Sequence, residues 1–239
     1  MPINANNTTI LYDNFALAAY LRSVGLTTST AMIDGTTLAD TSMVNYPGLN
    51  STSFTMSGLF DTATGAGSLL DDITSRLGSS TAVAATVSPN GFAAGNSVWM
   101  LPALTVDYQV SSTVADLVPF TLNLGAGAAA GLGTCLTALA AQTATGNGTS
   151  QDNTTSTSSG AVAHLHITAV SGSTPSMTVT IQHSTNNSTW STLATFSAAT
   201  AVGSQTLQVS GTVNRYVRAS FTISGTSPSF TTLVALARF

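Results

Sequence analysis

The stretch Gly146–Gly160, GNGTSQDNTTSTSSG, contains no aliphatic and no aromatic residue. Such a segment buries too little apolar surface to offset the entropy of ordering it. Its Gly, Ser, Thr and Asn content is that of a flexible linker. It divides the chain into residues 1–145, with mixed strand and helix signals, and residues 161–239, where strands and turns alternate. At 239 residues the chain has room for two modest domains, each with its own core.

Charge is the second constraint. Only 6% of residues are Asp, Glu, Lys or Arg, and there is neither Lys nor Glu. Every cation is an arginine (Arg22, Arg76, Arg215, Arg218, Arg238), and every acidic side chain is Asp. Isolated soluble monomers normally carry a charged surface; one of Ser, Thr, Asn and Ala suits neutral packing against other protein. A secreted or halotolerant monomer is the alternative. A net charge of −4 argues against sequence-independent nucleic-acid binding, which needs a basic stripe. Cys135, the single cysteine, cannot form an internal disulfide and reads as a buried thiol. The N-terminus, MPINANNTTILYDN, shows no signal-peptide pattern, and no window is apolar enough to span a bilayer, so no membrane anchor is expected.

Taken in order, residues 1–12 read as an extended polar arm. Asp13 or Asn14 is placed to cap a short helix, FALAAYLRSV, that ends at Gly25. Asp34-Gly35 marks a turn with strands on either side. Phe54, Met56 and Phe60 at period two predict a strand. Ser68 before LLDDITSRL, with Asp71 and Asp72 in the first turn and Leu69, Leu70, Ile73 and Leu77 at helical spacing, predicts a helix. Strands follow at 81–88, 97–101, 104–111 and 117–124, with Pro119 at an edge or a strand start. LGTCLTALAA, within Gly125–Thr145, fits either a helix packed through small residues or an irregular, close-packed strand. Six further strands, at 161–170, 176–184, 189–196, 205–210, 215–223 and 230–238, predict a small antiparallel sandwich or jelly roll.

No constellation points to catalysis. Without Lys there is no P-loop, and Gly125-Ala-Gly-Ala-Ala-Ala-Gly131 matches no dinucleotide fingerprint. No Gly-x-Ser-x-Gly elbow or triad spacing is present, and Asp71-Asp72 reads as helix-start charge, so the chain is read as no enzyme and needs no cofactor. His164, His166 and His183 invite a metal reading. The alternation of Ala163, Leu165 and Ile167 nevertheless turns His164 and His166 outward, and that of Met177, Val179 and Ile181 puts His183 on the opposite face, so no metal site is expected. Trp190, Arg215, Tyr216 and Arg218 offer rings and guanidinium groups of the kind that recognise sugars; the alternative is a core tryptophan with arginines on a strand edge.

FTMSGLFD at 54–61, the helix at 69–77 and ALTVDYQVSSTVADLVPFTLNL at 103–124 together resemble, in the order of their elements, the major tail tube proteins of long-tailed, siphovirus-like bacteriophages. The C-terminal module is similar to β-sandwich domains appended to virion proteins. TVTIQHSTNNSTWSTLATF followed by VSGTVNRYVRASF is also similar to discoidin-like and carbohydrate-binding modules. The resemblance implies a mainly β chain: a tail-tube β-sandwich or barrel domain with one or two short helices at 1–145, the linker 146–160, and a C-terminal antiparallel sandwich of jelly-roll or Ig-like type at 161–239. It implies a structural virion protein of the tail, assembled in the host cytoplasm. Its partners would be other copies of itself in stacked hexameric rings, a tape-measure protein, tail tip or terminator proteins, and double-stranded DNA passing through the lumen without sequence-specific binding. Asp34, Asp40 and Tyr46 would lie at contacts between rings, and the C-terminal domain would decorate the exterior. The alternative is a capsid decoration or fibre-type module that binds host-surface glycans through Trp190, Arg215, Tyr216 and Arg218.

Overall fold

The computed structural model describes residues 7–60, 68–114 and 116–239, so the first half of the expected N-terminal arm lies outside the described residues. In the second half, Thr9–Tyr12 is not an arm but a strand whose Ile10, Leu11 and Tyr12 are buried. The protein is mainly β, with antiparallel pairing throughout the described ladders. In chain order, β1 (Thr9–Tyr12), β2 (Phe15–Ala16), β3 (Leu21–Asp34) and β4 (Asn45–Leu59) precede helix α1 (Leu69–Arg76). Next come β5 (Val83–Ser88), β6 (Ser97–Val110), β7 (Pro119–Ala126), β8 (Gly131–Cys135) and β9 (Ala140–Gln142). The chain continues with β10 (Gly146–Asn147), β11 (Gln151–Asp152), β12 (Ala161–Ser184), β13 (Ser191–Thr195), β14 (Gly203–Val209) and β15 (Tyr216–Arg238). Two compact units emerge, and they interleave along the sequence: unit 1 takes Met1–Ala19, Thr81–Ala103 and Ala128–Phe239, and unit 2 takes Tyr20–Ser80 and Leu104–Gly127.

Unit 1 is organised by β12 and β15, which pair from Ala161↔Arg238 to Ser184↔Tyr216. Four strands were expected where these two run unbroken. The turn sequences SGSTP and SGTSP are not hairpin loops but facing register shifts in one ribbon, which bends there. Ser171-Gly-Ser-Thr-Pro-Ser176 and Ser224-Gly-Thr-Ser-Pro-Ser229 repeat the same pattern on the two strands. Gly172 (φ 112°) lies against Ser227 O and Pro228 Cα, while Gly225 (φ 118°) lies against Thr174 O and Pro175 Cα. Thr174 and Ser227 both have φ 48°. The bend is therefore a local two-fold, in which each glycine leaves room for the other strand's Pro turn. A strand that switches layers through a bulge or bend is how sandwich corners are made.

Both halves of the ribbon face one core. Ala163, Leu165 and Ile167 from before the bend meet Met177, Val179 and Ile181 from after it, together with Phe196, Val217, Phe221, Phe230, Val234 and Leu236. β14 flanks the first half of β12 and β13 the second. On the other side, β8, β9, β10 and β11 follow β15 from Leu236 to Tyr216 as an interrupted antiparallel strand. Residues 161–239 thus form the expected sandwich only together with the chain from Gly131 to Asp152.

Two expectations fail here for physical reasons. Gly146–Gly160 is not a flexible linker: Gly146 and Asn147 pair with Phe221 and Ser220, Gln151 and Asp152 with Val217 and Tyr216, and Thr157 with Val213. A ladder is made by backbone groups, so an edge strand covering a ready-made core needs no apolar side chains of its own. The boundaries between compact units accordingly do not fall at 145 or 161. The helix expected over FALAAYLRSV is absent, because Phe15–Ala16 turns back on β1 and Leu21 onward pairs with β4. Ladder formation overrides a local propensity worth only tenths of a kcal/mol per residue. In the undecided segment, the strand reading holds: Gly133 packs so closely on Leu236 O that a Cβ would overlap it.

Unit 2 contains β3, β4, β7, α1 and the second half of β6, with β4 lying between β3 and β7. Ser68 caps α1 as predicted, its Oγ accepting from Asp71 N at 3.2 Å, and Asp72 pairs with Arg76 at 2.8 Å. Leu69, Leu70 and Ile73 surround a small apolar pocket with Tyr20, Leu59, Tyr108 and Phe120.

Gly172→Ala and Gly225→Ala should each destabilise unit 1 by about 1–3 kcal/mol in urea denaturation, because each puts a Cβ against the facing backbone. The local symmetry predicts losses of similar size; a neutral result at either position would contradict it.

Candidate functional site

β4 pairs with β7 only over Ser53–Leu59, whereas its pairing with β3 continues to Asn45↔Asp34. Beyond Ser53 the two strands are therefore partnered, among the described residues, only by each other, forming a two-stranded arm within unit 2. Its shaft is knit by hydroxyl and amide side chains across the strands: Thr28 Oγ1 lies 3.2 Å from Thr52 Oγ1, and Thr30 donates to Asn50 Oδ1 at 2.6 Å. Its end is apolar. Met32 (63% exposed), Met43 (73%) and Leu49 (87%) stand in water with Ile33, Leu38 and Tyr46. A lone two-stranded hairpin is marginally stable in water, and clustered apolar side chains on one are unusual for a surface that stays solvated.

The residues singled out in sequence divide here. Asp34 Oδ1 accepts from Thr36 N at 2.8 Å, and Asp40 Oδ2 accepts from Thr37 N at 2.7 Å and Thr37 Oγ1 at 2.8 Å. Hydrogen bonds from Thr36 and Thr37 hold the two carboxyls below the usual carboxylate range. These aspartates organise the turn at 35–44, which Gly35 N→Val44 O (2.9 Å) and Val44 N→Thr36 Oγ1 (3.0 Å) complete. Tyr46 is exposed, with its ring against Gly35. Met32, Ile33, Leu38, Met43 and Leu49 were missed in sequence; the signal was their recurrence in a run otherwise rich in Thr, Asp and Gly.

The four aromatic and arginine residues of the C-terminal segment lie in unit 1 and form two stacks. Arg218 Cζ sits 4.1 Å from the Trp190 ring centroid, and its Nε donates to Gln182 Oε1 at 2.8 Å. Arg215 Cζ sits 4.8 Å from the Tyr216 centroid, and the guanidinium makes a two-pronged pair with Asp152 at 2.7 and 2.6 Å. That pair, first by hydrogen bonding, lowers the Asp152 carboxyl to about 2. Trp190, Arg215, Tyr216 and Arg218 are all half-buried, and each ring has one face covered by a guanidinium.

The histidines differ most from expectation. His164 and His166 are fully buried, not outward-facing. Along β12 before the bend both faces are covered: one by the sandwich core, the other by a second cluster containing Leu11, Val98, Met100, Cys135, Val162, Leu233 and Ala235. Alternation cannot identify an outer face on a strand buried on both sides. His164 Nδ1 lies 2.9 Å and His166 Nε2 2.8 Å from Thr86 Oγ1, and His166 Nδ1 lies 2.7 Å from Asp13 O. Nearby, Ala84 N donates to Ser204 Oγ at 3.1 Å. These bonds join β5 to β12 and β14 by side chains, where the sheet β12-β15-β8-β6-β5 curls back on its first strand. Burial, then the charge of His166, pushes His164 well below its ordinary value; burial lowers His166 to about 4 despite the opposing Asp13 carbonyl. His183 is half-buried and accepts from Asn214 N at 3.2 Å. Among the described residues no three His, Cys, Asp or Glu side chains gather as metal ligands. Cys135 is buried, and burial raises its thiol to about 12.

No protein-family model matches the chain, and no curated protein sequence matches it. Among solved structures, the virion of a native gene transfer agent particle is similar at 16% identity and TM-score 0.42, over 55% of this chain and 98% of that one. The sheath–tube complex of an extracellular contractile injection system, in its extended state, is similar at 16% identity and TM-score 0.41, over 56% and 92%. The SPP1 Dit protein, from the hub adsorption apparatus of phages infecting Gram-positive hosts, is similar at 13% identity and TM-score 0.42, over 97% and 99%. These neighbours are tail, tube and hub proteins; TM-scores in this range do not define a common fold.

With Trp99→Phe in the background, Trp190 becomes the sole tryptophan. Arg218→Ala should then shift its emission to the red, since the guanidinium shields that ring; unchanged emission would contradict the stack.

Proposed function

We propose that the protein is a structural subunit of a phage-type tail, assembled by docking the β3–β4 arm of one copy on the next. One observation carries the reading: a ribbon partnered, among the described residues, only by itself, with a hydroxyl-lined shaft and an apolar end. Such an arm gains most of its order from a neighbour. The composition favours another copy of this chain as that neighbour. With no Lys or Glu and 6% charged residues, both surfaces can be desolvated at little electrostatic cost. An arm that docks away from itself makes a heterologous contact, which propagates as an open stack.

The sequence resemblance supports the finer form of this proposal. The chain acts as a major tail tube subunit in stacked hexameric rings, built around a tape-measure protein, closed by terminator proteins and conducting double-stranded DNA. The weakly acidic balance suits a wall past which DNA moves without adhering. Asp34 and Asp40 serve this assembly by shaping the turn, and the apolar residues beside them make the contact. Unit 1 carries the sandwich, so exterior decoration belongs to that unit as a whole.

Leu38→Asp with Met43→Asp should abolish stacking and leave a folded protein, because both side chains are solvent-exposed in the isolated chain. Negative-stain microscopy and sedimentation read the first effect and the thermal midpoint reads the second. Tubes or rings that persist in the double variant would overturn the proposal. Removing 161–239 should leave unit 1 unfolded, since β8 to β11 lose β15; native-like near-ultraviolet circular dichroism in that truncation would contradict this.

A further inference from the structure

We propose that His166, Thr86 and His164 form an acid-operated latch. Protonation opens the side-chain seam joining β5 to β12 and β14 in unit 1, while unit 2 keeps its structure.

The neutral arrangement has only one consistent set of protons. Asp13 O can only accept, so His166 Nδ1 carries a hydrogen and its Nε2 carries a lone pair. Thr86 must then donate to His166 Nε2, leaving its oxygen to accept from His164 Nδ1. Both imidazoles are thus Nδ1–H tautomers, and His164 Nε2 is buried with no hydrogen-bond partner. A further proton is accommodated only at a cost: it leaves a buried cation and either a Thr86 hydrogen or a His164 Nε2 hydrogen with no acceptor. On His166 Nε2 it faces an oxygen whose own hydrogen then lacks an acceptor, unless His164 gives up its Nδ1 proton. On His164 Nε2 it creates a buried cation with no partner, 6.0 Å from a second ring.

The surroundings compensate at one ring only, and burial outweighs that compensation. The turn between β1 and β2 contributes Asp13, whose charge favours protonated His166. β14 places Thr206 and Ser204 opposite the two histidines, and β15 places Ala235 and Leu233 there. Cys135, in the neighbouring cluster, stays neutral over the whole range concerned.

Location makes the latch selective. All three histidines lie in unit 1, and unit 2 has none. The carboxyls of Asp34 and Asp40 in unit 2 titrate below the ordinary aspartate range. Both latch histidines have folded values below the unfolded one, so the unfolded or opened state binds more protons. Their contribution is complete above about pH 6.5 and declines as pH falls toward the folded values. Two such histidines multiply the opening equilibrium by about fifty between pH 6 and pH 5.

Hydrogen exchange of the full chain, corrected for intrinsic pH dependence, tests this. Peptides covering β5 and β14 should open about fifty-fold more often at pH 5 than at pH 6, while those covering β4 and β7 stay unchanged. His183→Asn should preserve that response, and Thr86→Val with His164→Leu and His166→Leu should remove it. Equal loss of protection in both units, or none in β5, would overturn the latch. Should the triple variant fail to fold, nitrogen-15 spectra of the wild-type histidines at neutral pH decide: Nδ1–H on both supports the latch, and Nε2–H on either refutes it.

Discussion

Everything in unit 1 depends on the pairing of β12 with β15. Their ladder is the longest among the described residues, and its bend places both halves against the same apolar core. The bend is possible because two backbones approach closely at Gly172 and Gly225 while Pro175 and Pro228 turn the chain beside them. Once the ribbon is bent, its edges dictate the rest: β13 and β14 cover one side, and β8 to β11 follow the other. A stretch with no apolar side chain can serve as one of those edges because the ribbon has already built the core.

Closure of unit 1 uses a different kind of bond. The curled sheet meets its own first strand through Thr86, His164, His166 and the Ser204 hydroxyl, with no backbone ladder between them among the described residues. Backbone ladders are insensitive to mild acid, but an imidazole chain is not. The stable part of the fold and its responsive part are therefore chemically distinct, although they share β12.

Much of this was legible from residue patterns. α1 was marked by its cap, its acidic first turn and its apolar spacing. The strands expected at 81–88 and 117–124 lie within two residues of β5 and β7, with Pro119 at the start of β7 as its lack of a donor predicts. What failed had physical causes. Period two reports one buried face, so a strand buried on both, such as β12 before its bend, disguises which way His164 and His166 point. Turn sequences such as SGSTP report a change of direction, not whether the partner strand turns with it. A polar run such as Gly146–Gly160 says nothing of the edge it will cover. At the candidate site, Asp34 and Tyr46 located the turn, but the exposed methionines and leucines around them were hidden by the habit of assigning apolar residues to cores.

The interleaving of the two units governs the order in which the chain takes shape. β1 meets β5 only after the whole run from Tyr20 to Ser80 has been made, and β12 must wait for β15. The β3–β4 arm, by contrast, closes on near neighbours in sequence. Local contacts form faster than distant ones, so on a ribosome the apolar end of the arm is present while unit 1 is still open. A chain with so little charge to keep copies apart then carries its most adhesive surface before its largest core has closed. In a crowded polysome, timing, more than affinity, would decide whether that arm first meets a finished neighbour or another unfinished chain.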